Sequence, residues 1–404
     1  MDGVTSRPRR GALEQSAFVS LLLFAAALQV SIAAAQILLA LTAVLWLALV
    51  ISGREAIRVP RMFWPLLAYA GISLVSAAFS IDPRVSIIDR KQLLLFLIVP
   101  IAFRLTRGRR TMTAVDVIIS VAAITAAIGI IQFAILKFDS TGQRPRGLLS
   151  MYMTYSGQLM LVACVAAARV LFSPRDRVWP LLVLVAVTVA LVTTLSRNAW
   201  IGACVGIGAL FLMRDFRLVG VLPVLAALFF AFAPAVISDR FWAMFAIKDQ
   251  YLQTETTQAS VLSNRDRVAM LKTGVHIVKD HPLTGVGPDM VIQVYPVYRA
   301  QGAVNQLNPH LHNVPMQIAA ERGIPALLIW LWFIITVVVD FVRLRRSSHA
   351  SFFPHAGLAC VAAMFAAGMF EHNFGDSEFL MLFLLLITLP YAAAQPATVQ
   401  GSAA

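Results

Sequence analysis

Charged residues are scarce in this 404-residue chain. Asp, Glu, Lys and Arg make up 13% of the sequence, whereas 59% of the side chains are apolar. A soluble domain usually carries about 25% charged residues, so the composition excludes an ordinary soluble protein. Because lipid is then the solvent, the segments that cross the membrane must be helices or a closed barrel.

The apolar runs lack the alternation of a barrel strand. Residues 181–192 contain Thr188 as their one polar side chain, and residues 218–237 are almost continuously apolar. A membrane strand would place polar residues at every second position. The sequence therefore predicts an all-α integral membrane protein.

Cysteine is also rare. The three cysteines, Cys164, Cys204 and Cys360, all fall inside apolar runs. They have neither the spacing of a disulfide framework nor that of a metal site, and we interpret them as small buried hydrophobic residues. Acidic residues are outnumbered by basic ones, 20 to 33, but the arginines stand in short clusters between apolar runs. This pattern is typical of membrane topology signals rather than of nucleic-acid binding.

About twelve membrane-spanning helices are predicted. They lie near 17–33, 36–52, 63–80, 92–105, 113–136, 148–171, 178–196, 199–213, 218–237, 323–342, 356–370 and 378–394. The chain is thus divided into a bundle of about nine helices in 1–237, one large loop in 238–322, and a bundle of about three helices in 323–404.

The arginine clusters orient this bundle. With a cytoplasmic N-terminus, the short linkers on the inside carry seventeen arginines, and those on the outside carry seven Lys and Arg. This imbalance agrees with the positive-inside rule. We therefore predict cytoplasmic termini and an extracytoplasmic loop at 238–322. In this loop Val268, Leu271, Val275 and Val278 form one apolar helical face, and we expect a mostly helical lid over the bundle.

Two histidines of the loop flank a predicted helix start. His310 and His312 precede Asn313, a good N-cap, and Pro315, which is tolerated in a first helical turn. The positive end of a helix disfavours imidazolium and attracts anions, so this element suits both a proton-accepting histidine and a bound phosphate. The alternative is a pair of ordinary polar loop residues. A metal site lacks a third ligand nearby in sequence.

Several arginines are predicted at the outer face. Guanidinium groups bind phosphate oxygens in pairs of hydrogen bonds, so this group suits a diphosphate. Arg197 lies between two apolar runs with no room for a loop, and it either reaches the interface or lines a wet cavity. The candidate diphosphate-binding residues are Arg144, Arg146, Arg197, Arg265 and Arg267.

The last outer loop contains two acidic residues, Glu371 and Asp376. They are candidates for orienting a base or binding sugar hydroxyls, or else they are ordinary interfacial residues. The predicted outer loops contain no Asp-x-Asp pair, which disfavours a nucleotide sugar held by a metal ion.

These motifs resemble those of O-antigen ligases and the related polymerases. His312-Asn313 followed by nine residues and Gly323 is similar to the family pattern, and so is the preceding stretch Asp280–Gly287. Ala326 departs from the residue types frequent three positions after the glycine. The resemblance implies a GT-C-like, inverting glycosyltransferase in the bacterial inner membrane that needs neither cofactor nor metal.

Such an enzyme transfers a glycan from undecaprenyl diphosphate to lipid A-core on the periplasmic side. The resemblance favours His312 as the general base, supported by His310, Asn313, Glu371 and Asp376. An O-antigen polymerase and a protein O-oligosaccharyltransferase stay open as alternatives, since they share the donor. A secondary transporter is disfavoured by the lack of inverted repeats, and a purely structural membrane scaffold is the remaining reading.

Overall fold

The computed structural model of the chain describes residues 6–53, 56–140, 142–173, 175–220, 237, 255–347 and 351–395. In these ranges the regular structure is helical and no strand occurs. The predicted all-α class is therefore confirmed.

The α-helices of the described ranges are numbered in chain order. They are α1 Ser6–Ala27, α2 Ile32–Gly53, α3 Phe63–Ala78, α4 Pro83–Ile88, α5 Ile98–Leu105, α6 Arg109–Ala134, α7 Tyr152–Phe172, α8 Val178–Thr193, α9 Arg197–Arg214, α10 Glu255–Asp280, α11 Val291–Tyr298, α12 Val314–Ser347, α13 Phe353–Gly368 and α14 Ser377–Ala393. Short 3₁₀ segments occupy Asp89–Leu97, Phe216–Gly220 and Asn373–Gly375.

The apolar helices fall into two groups by length. Four of them, α2, α6, α7 and α12, are long and apolar enough to cross a membrane, and α3, α8, α13, α14 and most of α1 are shorter apolar helices. The protein is thus a multi-pass membrane protein. The predicted span 218–237 lies largely outside the described residues, so the count of twelve stays a prediction, as does the side on which the large loop lies.

Two helices form the centre of the bundle. Helix α7 is buried from Thr154 to Arg169, and α14 from Phe379 to Pro390. Beside them α9 packs closely on α13, where Gly202 approaches the α13 backbone. A Cβ at Gly202 would lie 2.8 Å from the carbonyl oxygen of Ala363. Small residues at such crossings let helix backbones come near each other, so α9 and α13 are closely packed at Gly202.

Helix α12 is interrupted at Gly323. This residue has φ 82° and ψ 168°, a conformation that favours glycine. The stretch that ends at Gly287 wraps around the interruption. The N–H groups of Val286 and Gly287 donate to the carbonyls of Ala320 and Glu321 at 3.0 and 2.9 Å. The two sequence motifs that carry the family resemblance therefore pack against each other.

The sequence predicted the segments on either side of Gly323 as a short helix and a separate span. The structure agrees with this, since two helical segments meet at the kink at Gly323, and the N–H of Ile324 donates to the carbonyl of Pro282 in the wrapping stretch at 2.8 Å. The predicted cap is confirmed, since Asn313 Oδ1 accepts a hydrogen bond from the N–H of Met316 at 2.9 Å. Pro315 lies in the first turn of α12, as expected.

Helix α10 contains the predicted helix of the loop, but most of its apolar face points outward. Val268, Leu271 and Val275 are 55%, 43% and 38% exposed. The opposite side is buried and is formed by Asp266, Ala269, Met270, Thr273 and Ile277. The spacing of apolar residues alone does not tell which face meets the protein, and here polar anchors on the other side decide it.

Candidate active site

A polar cavity of about 520 Å³ opens where α2, α7 and α9 meet the loops before α12 and α14. Its titratable lining residues are Asp289, His310, His312, Arg322, Glu371, His372 and Asp376. Its amide side chains are Gln36, Gln92, Asn198 and Asn373. We call this space the histidine cavity. Such a density of donors and acceptors suits a hydroxyl-rich ligand.

His312 and Glu371 form the central pair of the histidine cavity. The imidazole Nδ1 lies 2.6 Å from Glu371 Oε1. An ionised carboxylate only accepts hydrogen bonds, so the contact assigns the proton to Nδ1. In the neutral form of this tautomer the lone pair is on Nε2. The pair thus presents a proton acceptor that is oriented by a carboxylate.

The backbone on both sides holds this pair in place. His312 has a φ of 47°, in the left-handed region, directly before the capping residue Asn313. The amide nitrogen of Asn313 donates to the carbonyl of Met369 at 3.0 Å. This bond joins the start of α12 to the end of α13, two residues before Glu371. The cap thereby brings together two groups that are 59 residues apart in sequence.

The charges of the cavity favour an ionised Glu371. Burial raises the pKa of this carboxyl, but the hydrogen bond and charge of His312 and the charge of Arg267 outweigh burial and lower the pKa below its ordinary value. Burial lowers the pKa of His310, and His312 adds to this effect. Burial also lowers the pKa of His372 well below its usual range, with His310 and Arg322 contributing. His310 and His372 therefore favour the neutral form beside the pair.

Asp376 anchors the far wall of the histidine cavity. One of its carboxylate oxygens caps α14 by accepting from the N–H of Phe379 at 3.0 Å, and the other accepts from the hydroxyl of Thr154 on α7. Burial raises the pKa of Asp376. The residue thus fixes α7 against α14 at the cavity.

Buried hydrogen bonds among polar side chains hold the stretch 308–313, which we call the histidine segment. Gln317 Oε1 accepts from the N–H of Leu311 at 2.7 Å, and Gln317 Nε2 donates to Glu321 Oε1 at 2.8 Å. Glu321 also accepts from Arg322 at 2.7 Å and from the N–H of Asp289 at 2.9 Å.

Arg322 and Asp289 line the cavity, and our sequence reasoning missed both. The available signal for Arg322 was a Glu-Arg pair immediately before the motif glycine, at the edge of an apolar run.

A second cavity of about 570 Å³ is lined in part by Phe370, the neighbour of Glu371 in sequence. Arg265, Arg267 and Lys272 line it together with Asn264 and Gln301, and its apolar wall comes from Val268, Ala269, Gly302 and Phe370. We call it the basic cavity. Its cationic lining suits an anionic ligand such as a phosphate.

The remaining predicted arginines do not line either cavity among the described residues. Arg197 begins α9 and is 6% exposed, and its neighbours Asn198 and Ala199 line the histidine cavity. The guanidinium of Arg144 lies 4.4 Å from the centre of the Tyr152 ring. Burial lowers the pKa of Arg144, and the nearby charge of Arg267 adds to it.

Arg146 is exposed and contacts the Ser150 carbonyl at 3.4 Å. The idea that Arg197 and Arg265 or Arg267 share one ligand stays a prediction.

The fold and the site define a multi-pass membrane protein with an imidazole–carboxylate pair in a polar cavity. Residues 180–331 match the family model described as O-Antigen ligase. The matched range contains His310 and His312. It also contains three of the candidate arginines, Arg197, Arg265 and Arg267, so the resemblance to the O-antigen ligase family is confirmed. It indicates a glycosyltransferase-like enzyme of the O-antigen ligase/polymerase superfamily. A search of curated proteins finds no match.

Proposed function

We propose that the protein ligates O-antigen polysaccharide from undecaprenyl diphosphate onto lipid A-core. The observation that carries this proposal is the His312–Glu371 contact inside a polar cavity, with His312 in the segment that matches the O-antigen ligase model. Acyl and phosphoryl groups are also transferred with such pairs, so it is the family match that favours glycosyl transfer. The reaction takes place at the periplasmic face of the inner membrane, where both lipid-anchored substrates are accessible.

His312 acts as the general base. Its Nε2 takes the proton of an acceptor hydroxyl, and the oxygen attacks the anomeric carbon of the donor sugar. The bond from this carbon to the diphosphate oxygen breaks, and the diphosphate leaves with the electron pair. A direct displacement of this kind inverts the anomeric carbon. Glu371 stabilises the imidazolium that forms and holds the ring in position, as the acid does in other base–carboxylate pairs.

Arginines neutralise the departing diphosphate. The diphosphate is already anionic in the bound donor, so guanidinium groups bind it before the reaction, and they also stabilise the charge that grows as the glycosidic bond breaks. Arg265 and Arg267 in the basic cavity are supported for this role by their position beside Phe370–Glu371. Arg197, whose neighbours Asn198 and Ala199 line the histidine cavity, and Arg144, which lies near enough to be affected by the charge of Arg267, are further candidates. Arg146 is an exposed candidate. The amide and carboxylate lining of the histidine cavity then receives sugar hydroxyls.

The proposal is tested with purified protein in lipid nanodiscs. The protein is given a polyprenyl-diphosphate-linked glycan and, in separate reactions, lipid A-core, a second lipid-linked repeat unit, or a serine-containing protein. We expect the glycan to appear on lipid A-core only. Lengthening of the lipid-linked glycan would indicate a polymerase, and a glycosylated protein would indicate an O-oligosaccharyltransferase. Either result would overturn the ligase assignment.

The topology is tested independently of the chemistry. The loop with His310 and His312 must lie on the periplasmic side, and the basic last turn of α12, with Arg345 and Arg346, must lie in the cytoplasm. A phosphatase reporter fused at Gln258 is therefore expected to be active, and the same reporter at Ser347 to be inactive. The opposite pattern would reverse the orientation and contradict a periplasmic reaction.

A further inference from the structure

Asp266 is a buried acid that the mechanism above does not use. It is 4% exposed and lies on the inward side of α10, between Arg265 and Arg267. Both arginines line the basic cavity. Three consecutive residues therefore present two cations to one cavity and a carboxylate to the interior.

The Asp266 carboxylate binds the segment that leads to the histidines. Oδ1 accepts from the N–H groups of Val304 and Asn305 at 3.0 and 3.2 Å. Oδ2 accepts from the side-chain amides of Asn305 and Asn308 at 2.6 and 3.3 Å. Four donors converge on one carboxylate, and Asn308 precedes His310 by two residues. A second bond, from the N–H of Ala300 to Thr273 Oγ1 at 3.0 Å, holds the start of the same segment.

We propose that Asp266 is a positioning residue that sets the place of His312 relative to the phosphate-binding arginines. This inference rests on the proposed function. The carboxylate fixes residues 304–308 to α10, the helix that carries Arg265 and Arg267. Asn313 and Gln317 fix the other end of the histidine segment to the bundle. The base and the cationic side chains are thereby held by one framework, although they line different cavities.

The chemistry at this position requires a carboxylate. In Asp266→Asn the side chain keeps the size of the aspartate but gains an amide NH₂ group in place of one acceptor oxygen. That group faces hydrogen-bond donors of Asn305 and Asn308, and a buried donor without an acceptor is costly. We expect residues 304–308 to detach from α10, while Arg265 and Arg267 keep their own positions on the helix. The rate of transfer then falls more than the affinity for the donor.

A double-mutant cycle separates positioning from general destabilisation. Single-turnover transfer, donor Kd and melting are measured for wild type, Asp266→Asn, His312→Ala and the double variant. We expect Asp266→Asn to slow transfer at least tenfold in the wild-type background and less than threefold in the His312→Ala background, with donor Kd within threefold. An equal loss in both backgrounds, or a loss confined to donor Kd, would overturn the inference.

Two further measurements keep the test decisive. Asn305→Ala is a second variant that can be used if Asp266→Asn fails to fold. It removes one donor to Asp266 without placing a new one, and we expect the same kinetic pattern with a smaller loss. Hydrogen exchange of residues 303–312 needs no activity and is expected to rise in Asp266→Asn, whereas Thr273→Val raises exchange mainly near Ala300. Unchanged exchange in 303–312 would contradict the anchoring. Absence of transfer by wild type would contradict the proposed function alone.

Discussion

The two cavities beside Phe370 and Glu371 differ in their chemistry. Among the residues that the structure describes, the histidine cavity is lined by imidazoles, carboxylates, amides and one arginine, Arg322, whereas the basic cavity is lined by Arg265, Arg267 and Lys272 without an acidic residue. Both have volumes near 500–600 Å³. The difference therefore lies in charge rather than in size.

This difference indicates a division of labour. A base works best where cations do not surround it, because a positive neighbour disfavours the protonated imidazole that forms during transfer. A leaving diphosphate needs the opposite environment. Glu371 lies at the border, and the charge of Arg267 contributes to the low pKa of its carboxyl. The two environments are thus near enough to act on one substrate and different enough to perform separate steps.

The largest effect is expected from removing the base. In His312→Ala, transfer should fall by about 10²–10⁴-fold in kcat, the usual contribution of general-base assistance. His310→Ala should lose less, since His310 lacks the carboxylate contact. Both are measured with purified protein, with amount and melting checked in parallel. If His312→Ala turns over within a few-fold of wild type, the base lies elsewhere.

A smaller effect is expected from neutralising the orienting acid. Glu371→Gln should lower kcat on the order of 10²-fold, because an amide no longer fixes the imidazole tautomer. The acid limb of the pH–rate profile should also move to lower pH. The negative charge that favours imidazolium is absent in this variant, whereas in wild type the lowered pKa of Glu371 keeps the carboxylate ionised in that range. An unchanged profile would remove Glu371 from the pair.

The smallest effect is expected from a conservative change in the basic cavity. Arg267→Lys keeps the charge but loses the planar fork that binds two phosphate oxygens. Since hydrogen bonds to charged groups contribute about 1.5–3 kcal/mol, we expect the donor KM to rise by about tenfold, with a smaller loss in kcat because the charge that stabilises the leaving diphosphate is kept. Lys272→Arg serves as a matched control for bulk and charge in the same cavity. A loss in kcat with an unchanged donor KM would contradict binding of the donor diphosphate by Arg267 before the reaction.

The sequence predicted the all-helical class correctly, because long apolar runs in lipid leave few alternatives. The predicted span 92–105 was wrong as a single helix, since a 3₁₀ segment at Asp89–Leu97 precedes the short α5. The sequence also singled out His312 and its cap, since a cap is a local signal. The partner of His312 could be named only as one of two acids, because a contact across 59 residues depends on how α12 and α13 pack. Arg322, Gln317 and Asp266 were missed as functional candidates for the same reason.

The outward apolar face of α10 shows a further limit of sequence reasoning. Val268, Leu271 and Val275 have the spacing of a core face, but the buried side is held by the carboxylate of Asp266 and the hydroxyl of Thr273. Hydrogen bonds to backbone groups far along the chain do not produce a periodic residue pattern, so the buried face of α10 could not be predicted from the sequence.

The most direct test of the division between the cavities is a side-by-side kinetic comparison of His312→Ala and Arg267→Ala. Initial rates are measured while the lipid-linked donor is varied at saturating lipid A-core. We predict that His312→Ala loses kcat with a donor KM near that of wild type, and that Arg267→Ala raises the donor KM by a larger factor than it lowers kcat. The same kinetic pattern in both variants would contradict separate roles for the two cavities.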